Sequence, residues 1–501
     1  MSASTLTQTP SQGISVRRGP LLFVMILGAF ITVLNQTIMS VALPELMTDF
    51  DISAATAQWL TTGYMLVNGV LIPITAYLMQ RFTTRELFQS AMLLFLAGTV
   101  VSGFAPSFEL LLAGRLIQAA GAGIIMPLLM TVILKLFPPD KRGAAMGMVG
   151  FAIIFAPAIG PTVTGYVLEH FSWRVLFYAM IPLTVIVIAL AYYFLKNVAE
   201  RSYPKLDLWG VVSSTIGFGT LIYGFSSAGN QGWSDAEVLV PIGIGIIAIA
   251  LFVWRQLVIP NPLLDMRAFR YNMFSLTTII NVAITMVMYA DMMLLPLYLQ
   301  NARGYTPLES GLLMLPGAAL MAVMMPLAGK LFDRFGAKWL SVVGLAITIG
   351  TTLGFINLTD STSYTYLIFM STGRRLGMAL FMMPIQTAGL NQLPARLNAH
   401  GTAISNTSRQ VAGAIGTALL VTIMTSRTKH HLADMTASGN AGDMQHMITE
   451  ASIQGINDAY VVIIGIGIVA LALSFFIRKV KSADEAGQQP EAAAARAAEQ
   501  G

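Results

Sequence analysis

Apolar runs of about 20 residues recur along the chain from Leu21 to Ile477, each as long as a helix needs to cross a hydrocarbon core of roughly 30 Å. In such a core every backbone N–H and C=O must find a partner inside the protein, so only helix bundles and closed barrels can cross it. Barrel strands alternate polar and apolar residues; these runs do not, and the chain reads as an all-α, multi-pass membrane protein. Composition agrees. Of 501 residues, 55% are hydrophobic and 11% charged, with mean hydropathy +0.70, where soluble domains carry about 25% charged residues.

The first run, Leu21–Leu43, follows Arg17-Arg18 as a signal peptide would. It is too long for an h-region and has no small-x-small cleavage site, so it is taken as the first span. The chain has no cysteine, which excludes disulfides and thiolate metal sites. Its net charge of +5 sits in short loops between spans and does not point to nucleic acid.

Fourteen runs are read as spans, an even number that puts both termini on one side. With the N-terminus in the cytoplasm, 21 of the 29 basic residues fall on cytoplasmic ends and edges. Four (Arg174, Arg303, Arg427, Lys429) fall outside, and four (Arg115, Arg374, Arg375, Arg409) lie within spans. That asymmetry is the positive-inside pattern.

The chain also resembles itself. "AYLMQRFTTR" (76–85) matches "GKLFDRFGAK" (329–338), and "VALPEL" (41–46) matches "MLLPLY" (293–298). Two parallel six-helix repeats plus two extra helices account for fourteen, and such repeats place a transporter's site between the halves near the midplane. The expected plan is a cytoplasmic N-terminus (1–20), an N-terminal six-helix bundle (21–195), two extra helices with linkers (196–272), a C-terminal six-helix bundle (273–478) with a long outer loop (425–458), and a cytoplasmic tail (479–501).

Several motifs carry chemistry. In "FDRFGAK" (332–338), Gly336 permits a tight turn, and Asp333 can cap a helix start or pair with Arg334. "GRLIQAAGAGIIMP" (114–127) places Arg115 inside a span, where a charge costs about 2.5–3.5 kcal/mol on insertion scales and needs a partner, water or snorkelling. "FAPAIGPTVTGYV" (155–167) offers close approach at Gly160 and Gly165 and bends at Pro157 and Pro161. "LNQTIMSVALP" (34–44), "WRVLFYAMIP" (173–182) and "LDLWG" (206–210) complete the set.

Together these stretches resemble the major facilitator superfamily, specifically its fourteen-helix drug:proton antiporters, the multidrug and lincomycin-resistance type of exporter. The resemblance implies the major facilitator fold, a gating loop at Asp333, Arg334, Gly336 and Lys338 with its first-half copy at Arg81, and an antiporter seam at Pro157, Gly160, Pro161 and Gly165. It also implies that Arg115 faces a central cavity; Asn35, Tyr289 and Arg409 are expected to line it too, with pairing to helix-end carbonyls the other reading for Arg409. Four positions depart from the family's pattern: Gln80 and Thr83 replace an aspartate and a glycine in the first-half loop, Thr164 replaces a glycine in the fifth-helix motif, and Asn35 replaces an acid.

Asp291, in "MVMYADMMLLPLYLQ" (286–300), is the one acid placed well inside a span. Aligning Pro296 with Pro44 puts it one helical turn from the register of Asn35. Two readings are open: a structural ion pair, for instance with Arg115, or a proton site that loads on one side of the membrane and releases on the other. No Walker A loop is present, so ATP is not the evident energy source. A membrane potential supplies about 2.3 kcal/mol per charge per 100 mV. The expectation is therefore a proton-coupled antiporter of the bacterial inner membrane, with neither enzymatic activity nor cofactor. It would export small hydrophobic or cationic drugs, with Asp291 as the proton site. An exporter of one native metabolite or lipid-like envelope compound and a non-transporting membrane sensor are the alternatives.

Overall fold

The structure, a computed structural model, describes residues 18–52, 54–198, 207–260, 262–437 and 444–478. Among these there is no strand, and the fold is carried by fourteen helices. The first six are α1 (Arg18–Phe50), α2 (Ala54–Arg81), α3 (Thr84–Gly103), α4 (Phe108–Leu136), α5 (Arg142–His170) and α6 (Arg174–Phe194). A pair follows, α7 (Leu208–Gln231) and α8 (Ala236–Val258). The last six are α9 (Asn272–Leu297), α10 (Pro307–Phe335), α11 (Ala337–Thr352), α12 (Tyr364–Gln392), α13 (Asn398–Ala437) and α14 (Met444–Ser474).

Eleven are individually long and apolar enough to cross a membrane. A twelfth, α2, qualifies when Trp59–Leu71 and Ile74–Arg81 are joined across a 54° bend; the bend falls at Ile72-Pro73, where proline donates no N–H to the ladder. The other two are α5, whose apolar stretch is Arg142–Pro157, and α12, which carries Arg374 and Arg375.

Helix boundaries follow local chemistry. Thr83 and Glu86 form a capping box at the start of α3, and Thr306 and Glu309 form one at the start of α10, each satisfying backbone donors that the first turn leaves free. Gly336, at φ +77°, separates α10 from α11 in a backbone region that favours glycine.

Packing divides the helices. In the first six, α4 lies against α2 and α3, and α1 lies against α5 and α6. In the last six, α9 lies against α12 and α13, α11 against α12, and α13 against α14. The two sets meet along two lines, α5 on α10 and α2 with α4 on α13. Helix α7 packs on α8 and also against α2 and α13, beside the second line. Helix α8 buries Val238, Gly245, Ala248, Phe252 and Gln256, a one-sided stripe at helical spacing; its exposed Leu239, Ile246, Leu251 and Trp254 suit a lipid-facing surface.

The stretch expected as a long outer loop, 425–458, is mostly helix. Helix α13 runs unbroken through Ala437 and α14 starts at Met444; 438–443 lie outside the described residues. At 40 residues, α13 is about 60 Å long, roughly twice a hydrocarbon core. Polarity marks where the membrane ends, not where a backbone stops being helical.

Candidate transport site

Asp291 is 5% exposed, inside the second set of helices. Its partner is Arg374 of α12, with which it forms an ion pair; the sequence-level candidate Arg115 lies elsewhere. Tyr460 of α14 donates its hydroxyl to the same carboxylate at 3.1 Å. Arg374 is 1% exposed, and its guanidinium carbon sits 4.6 Å from the Phe355 ring and 5.7 Å from the Tyr460 ring. Arg375 follows, with its Nε buried and without a hydrogen-bond partner. Three helices thus converge on one carboxylate, and two aromatic rings lie against the cation.

The first set holds a counterpart. Arg115 on α4 is fully buried. Its Nη1 donates to Asn35 Oδ1 on α1 at 2.5 Å and to Gln118 Oε1 at 2.9 Å. Gln118 in turn donates to Thr99 on α3 at 2.8 Å, and the guanidinium carbon lies 4.4 Å from the ring of Tyr64 on α2. Arg115 is therefore paired with amides, and snorkelling is not its arrangement. The remaining cavity candidates, Tyr289 and Arg409, meet neither cluster in a hydrogen bond: Tyr289 packs on Gly413 of α13, one turn from Arg409.

Three side-chain contacts join the sets at the face bearing the basic loops. Asp333, at the end of α10, accepts from the backbone N–H of Gly143 at 2.9 Å and of Ala144 at 3.0 Å. These are the first turn of α5, so the carboxylate sits on the positive end of a helix in the other half. Arg334 turns to Phe335, 5.2 Å away, and Lys338 to Trp339, at 5.7 Å. Gly143 and Gly329 make this approach possible, since a Cβ on either would strike the other's backbone. Nearby, Arg142 donates to Asn391 Oδ1 of α12 at 2.8 Å. In the first-half copy Arg81 is exposed, and Gln80 contacts buried His400 of α13 at 2.9 Å. His400 Nδ1 also lies 3.2 Å from the Asp265 backbone nitrogen, so this ring ties α2 and the segment before α9 to α13.

The residues expected to form an antiporter seam have the following neighbours in this structure. Gly160 approaches Thr37 of α1, within its own half, and nothing lies within 4 Å of a Cβ at Gly165. Pro157 ends the straight apolar stretch of α5, and the side chain of Pro161 lies outside the described residues. Close approach between halves occurs earlier on α5, at Gly143 and Gly147, the latter against Met325 of α10. In this structure glycines near the basic face let the halves touch.

The histidines of the far face pair with acids: His431 and Arg427 both contact Asp458, at 2.9 and 2.5 Å. Among the described residues no group of three metal-ligating side chains converges. Sequence reasoning missed the Arg374 partnership. The signal was present: "GRRLGMALFMMP" (373–384) and "GRLIQAAGAGIIMP" (114–127) both put Gly-Arg inside an apolar run, on the fourth helix of each set of six.

Comparison with known proteins agrees with this architecture. The Major Facilitator Superfamily matches residues 25–417. Among relatives, the MFS-type transporter YhcA of Bacillus subtilis is 47% identical over 494 residues, covering 92% of this chain and 93% of that protein. The lincomycin resistance protein LmrB of the same organism is 42% identical over 464 residues, covering 92% and 96%. Among solved structures, the proton:xylose symporter XylE has a TM-score of 0.62 at 15% identity over 92% of this chain and 96% of that one, a likeness of fold alone. Helical architecture, family match and identity over nearly the whole length together make this chain a member of the major facilitator superfamily, a multi-pass membrane transporter with drug-resistance relatives.

Proposed function

We propose that the protein is a proton-coupled antiporter that exports amphipathic, hydrophobic drugs by alternating access. In this reading all fourteen helices span, both termini are cytoplasmic in a bacterial inner membrane, and the moving bodies are α1–α6 and α9–α14, with α7–α8 alongside. Asp291, Arg374 and Tyr460 carry the reading, because among the described residues Asp291 and Arg374 form the one ion pair with both side chains sunk among helix bodies. A proton arriving on Asp291 removes the negative partner of Arg374, which must then find another acceptor. That demand makes the packing of α9, α12 and α14 depend on protonation, the link that coupling needs. The Asp333 cap on α5 holds the cytoplasmic face closed in one state, and separation of α10 from α5 breaks both of its hydrogen bonds. Chemistry on a substrate is not part of this reading, nor is ATP.

Its support is the buried pair in a chain whose relatives include drug-resistance proteins. The test is drug retention in cells expressing the full chain, with and without an uncoupler. Efflux that stops when the proton gradient collapses supports the reading; efflux that persists contradicts it.

A further inference from the structure

The two halves hold equivalent buried arginines, and only one has a counter-charge. Arg374 meets the carboxylate of Asp291. Arg115 meets two amide oxygens, and Nη1 alone makes both contacts. Its Nε and Nη2 have no hydrogen-bond partner. Those two N–H groups lie on one edge of the guanidinium and point in parallel, the edge that takes both oxygens of a carboxylate. The hydroxyl of Tyr64, whose ring lies against the same guanidinium, is also without a partner. Arg115 and Tyr64 are 0% and 1% exposed. Arg374 also has Nε and Nη1 without hydrogen-bond partners, but its charge is answered by Asp291; Arg115 has no such counter-charge, and an uncompensated arginine at this depth calls for an anion.

We propose that Arg115 and Tyr64 bind the acidic group, a carboxylate or similar planar oxyanion, of a hydrophobic substrate. The cargo's acid then stands to Arg115 as Asp291 stands to Arg374. Asn35 is central: it occupies the first-half position facing the arginine, and because it is an amide it leaves the charge for a ligand to answer. Its neighbours Gln118 and Thr99 are neutral too. A cationic drug here would meet an unbalanced guanidinium, which argues against the cationic cargo expected from sequence. The inference rests on the alternating-access reading, since the site is sealed in this structure and is reached only when helices part.

The test uses the purified full chain in detergent at pH 8 and three fluorescent probes sharing one hydrophobe: 1-pyrenebutyric acid, its primary amide and 4-(1-pyrenyl)butylamine. The acid should bind on the order of tenfold tighter than the amide, or about 1.4 kcal/mol, and the amine weakest. Asn35→Asp keeps the guanidinium and supplies its counter-charge, so the acid-to-amide affinity ratio should fall to about one while the melting temperature holds or rises. Tyr64→Phe should lower the same ratio severalfold. Equal affinity for acid and amide in the native protein, no saturable binding of the acid, or an acid preference that survives Asn35→Asp would overturn the proposal. No proton gradient is present in this assay, so its failure is distinct from failure of the export reading, which uncoupling tests.

Discussion

Replacing Asp291 by Asn preserves shape and removes charge, leaving Arg374 buried among Phe355, Tyr460 and apolar helix surface. Breaking a buried pair from one side costs about 3–5 kcal/mol, because the remaining charge is uncompensated, whereas replacing both partners by apolar or neutral groups is close to neutral. The expected series is therefore a loss of about 3–5 kcal/mol for Asp291→Asn, and stability within about 1 kcal/mol of the native protein for Asp291→Asn combined with Arg374→Met. Hydrogen-bond pairs between membrane helices average about 0.6 kcal/mol and reach about 1.7 in such cycles, so a coupling above 2 would mark a charge pair rather than a polar contact. The assay is equilibrium unfolding of the four proteins in one detergent. Additive losses, with the double variant as unstable as the sum of the singles, would refute the reasoning and leave the pair a geometric coincidence.

Other outcomes follow from the same geometry. Asp333→Asn should lose about 2 kcal/mol of closed-state stabilisation, as hydrogen bonds to charged groups contribute about 1.5–3 kcal/mol; with no native cysteine, a single Met325→Cys beside Gly147 should then label faster, and an unchanged rate would contradict the lock. Gly329→Ala should cost about 1–3 kcal/mol by overpacking against Gly143, while Gly165→Ala, with open space around it, should be neutral or stabilising; equal melting temperatures would contradict the placement of the seam. Asp207, just before α7, is held below the ordinary value of 3.8: burial pushes it up, but hydrogen bonds from Arg255, the Gly210 N–H and Gln256, with the Arg255 charge, outweigh it. A depressed carboxylate contributes stability above its unfolded pKa and loses it as pH falls through the folded value. Melting temperature of the native protein should thus fall more than that of Asp207→Asn as pH drops below about 4, and parallel curves would contradict this.

Helices were legible from sequence because hydropathy reports the solvent a segment meets: the apolar runs fall on α1 to α14. Helical length beyond the membrane was not, since α13 past Met424 is polar yet still helical. Asp291 stood out as an acid in an apolar run, but pairing lives in three dimensions, and Arg374 and Tyr460 lie on other helices. The cap made by Asp333 was readable as a kind of contact; its target, Gly143 and Ala144, lies 190 and 189 residues away and nothing local names it. The neighbours of the expected seam were not legible, because small residues announce close packing without saying against which helix, and in this structure Gly160 faces α1.

The central claim is that a proton on Asp291 drives cargo uphill. Proteoliposomes holding the full chain, with a proton gradient imposed in the direction of proton entry to the cytoplasm, allow uphill movement of a fluorescent amphipathic drug to be followed directly. The native protein should concentrate the drug and lose that ability on addition of an uncoupler, while Asp291→Asn with Arg374→Met, matched in stability, should only equilibrate it. A double variant that still concentrates the drug under the gradient would contradict the account.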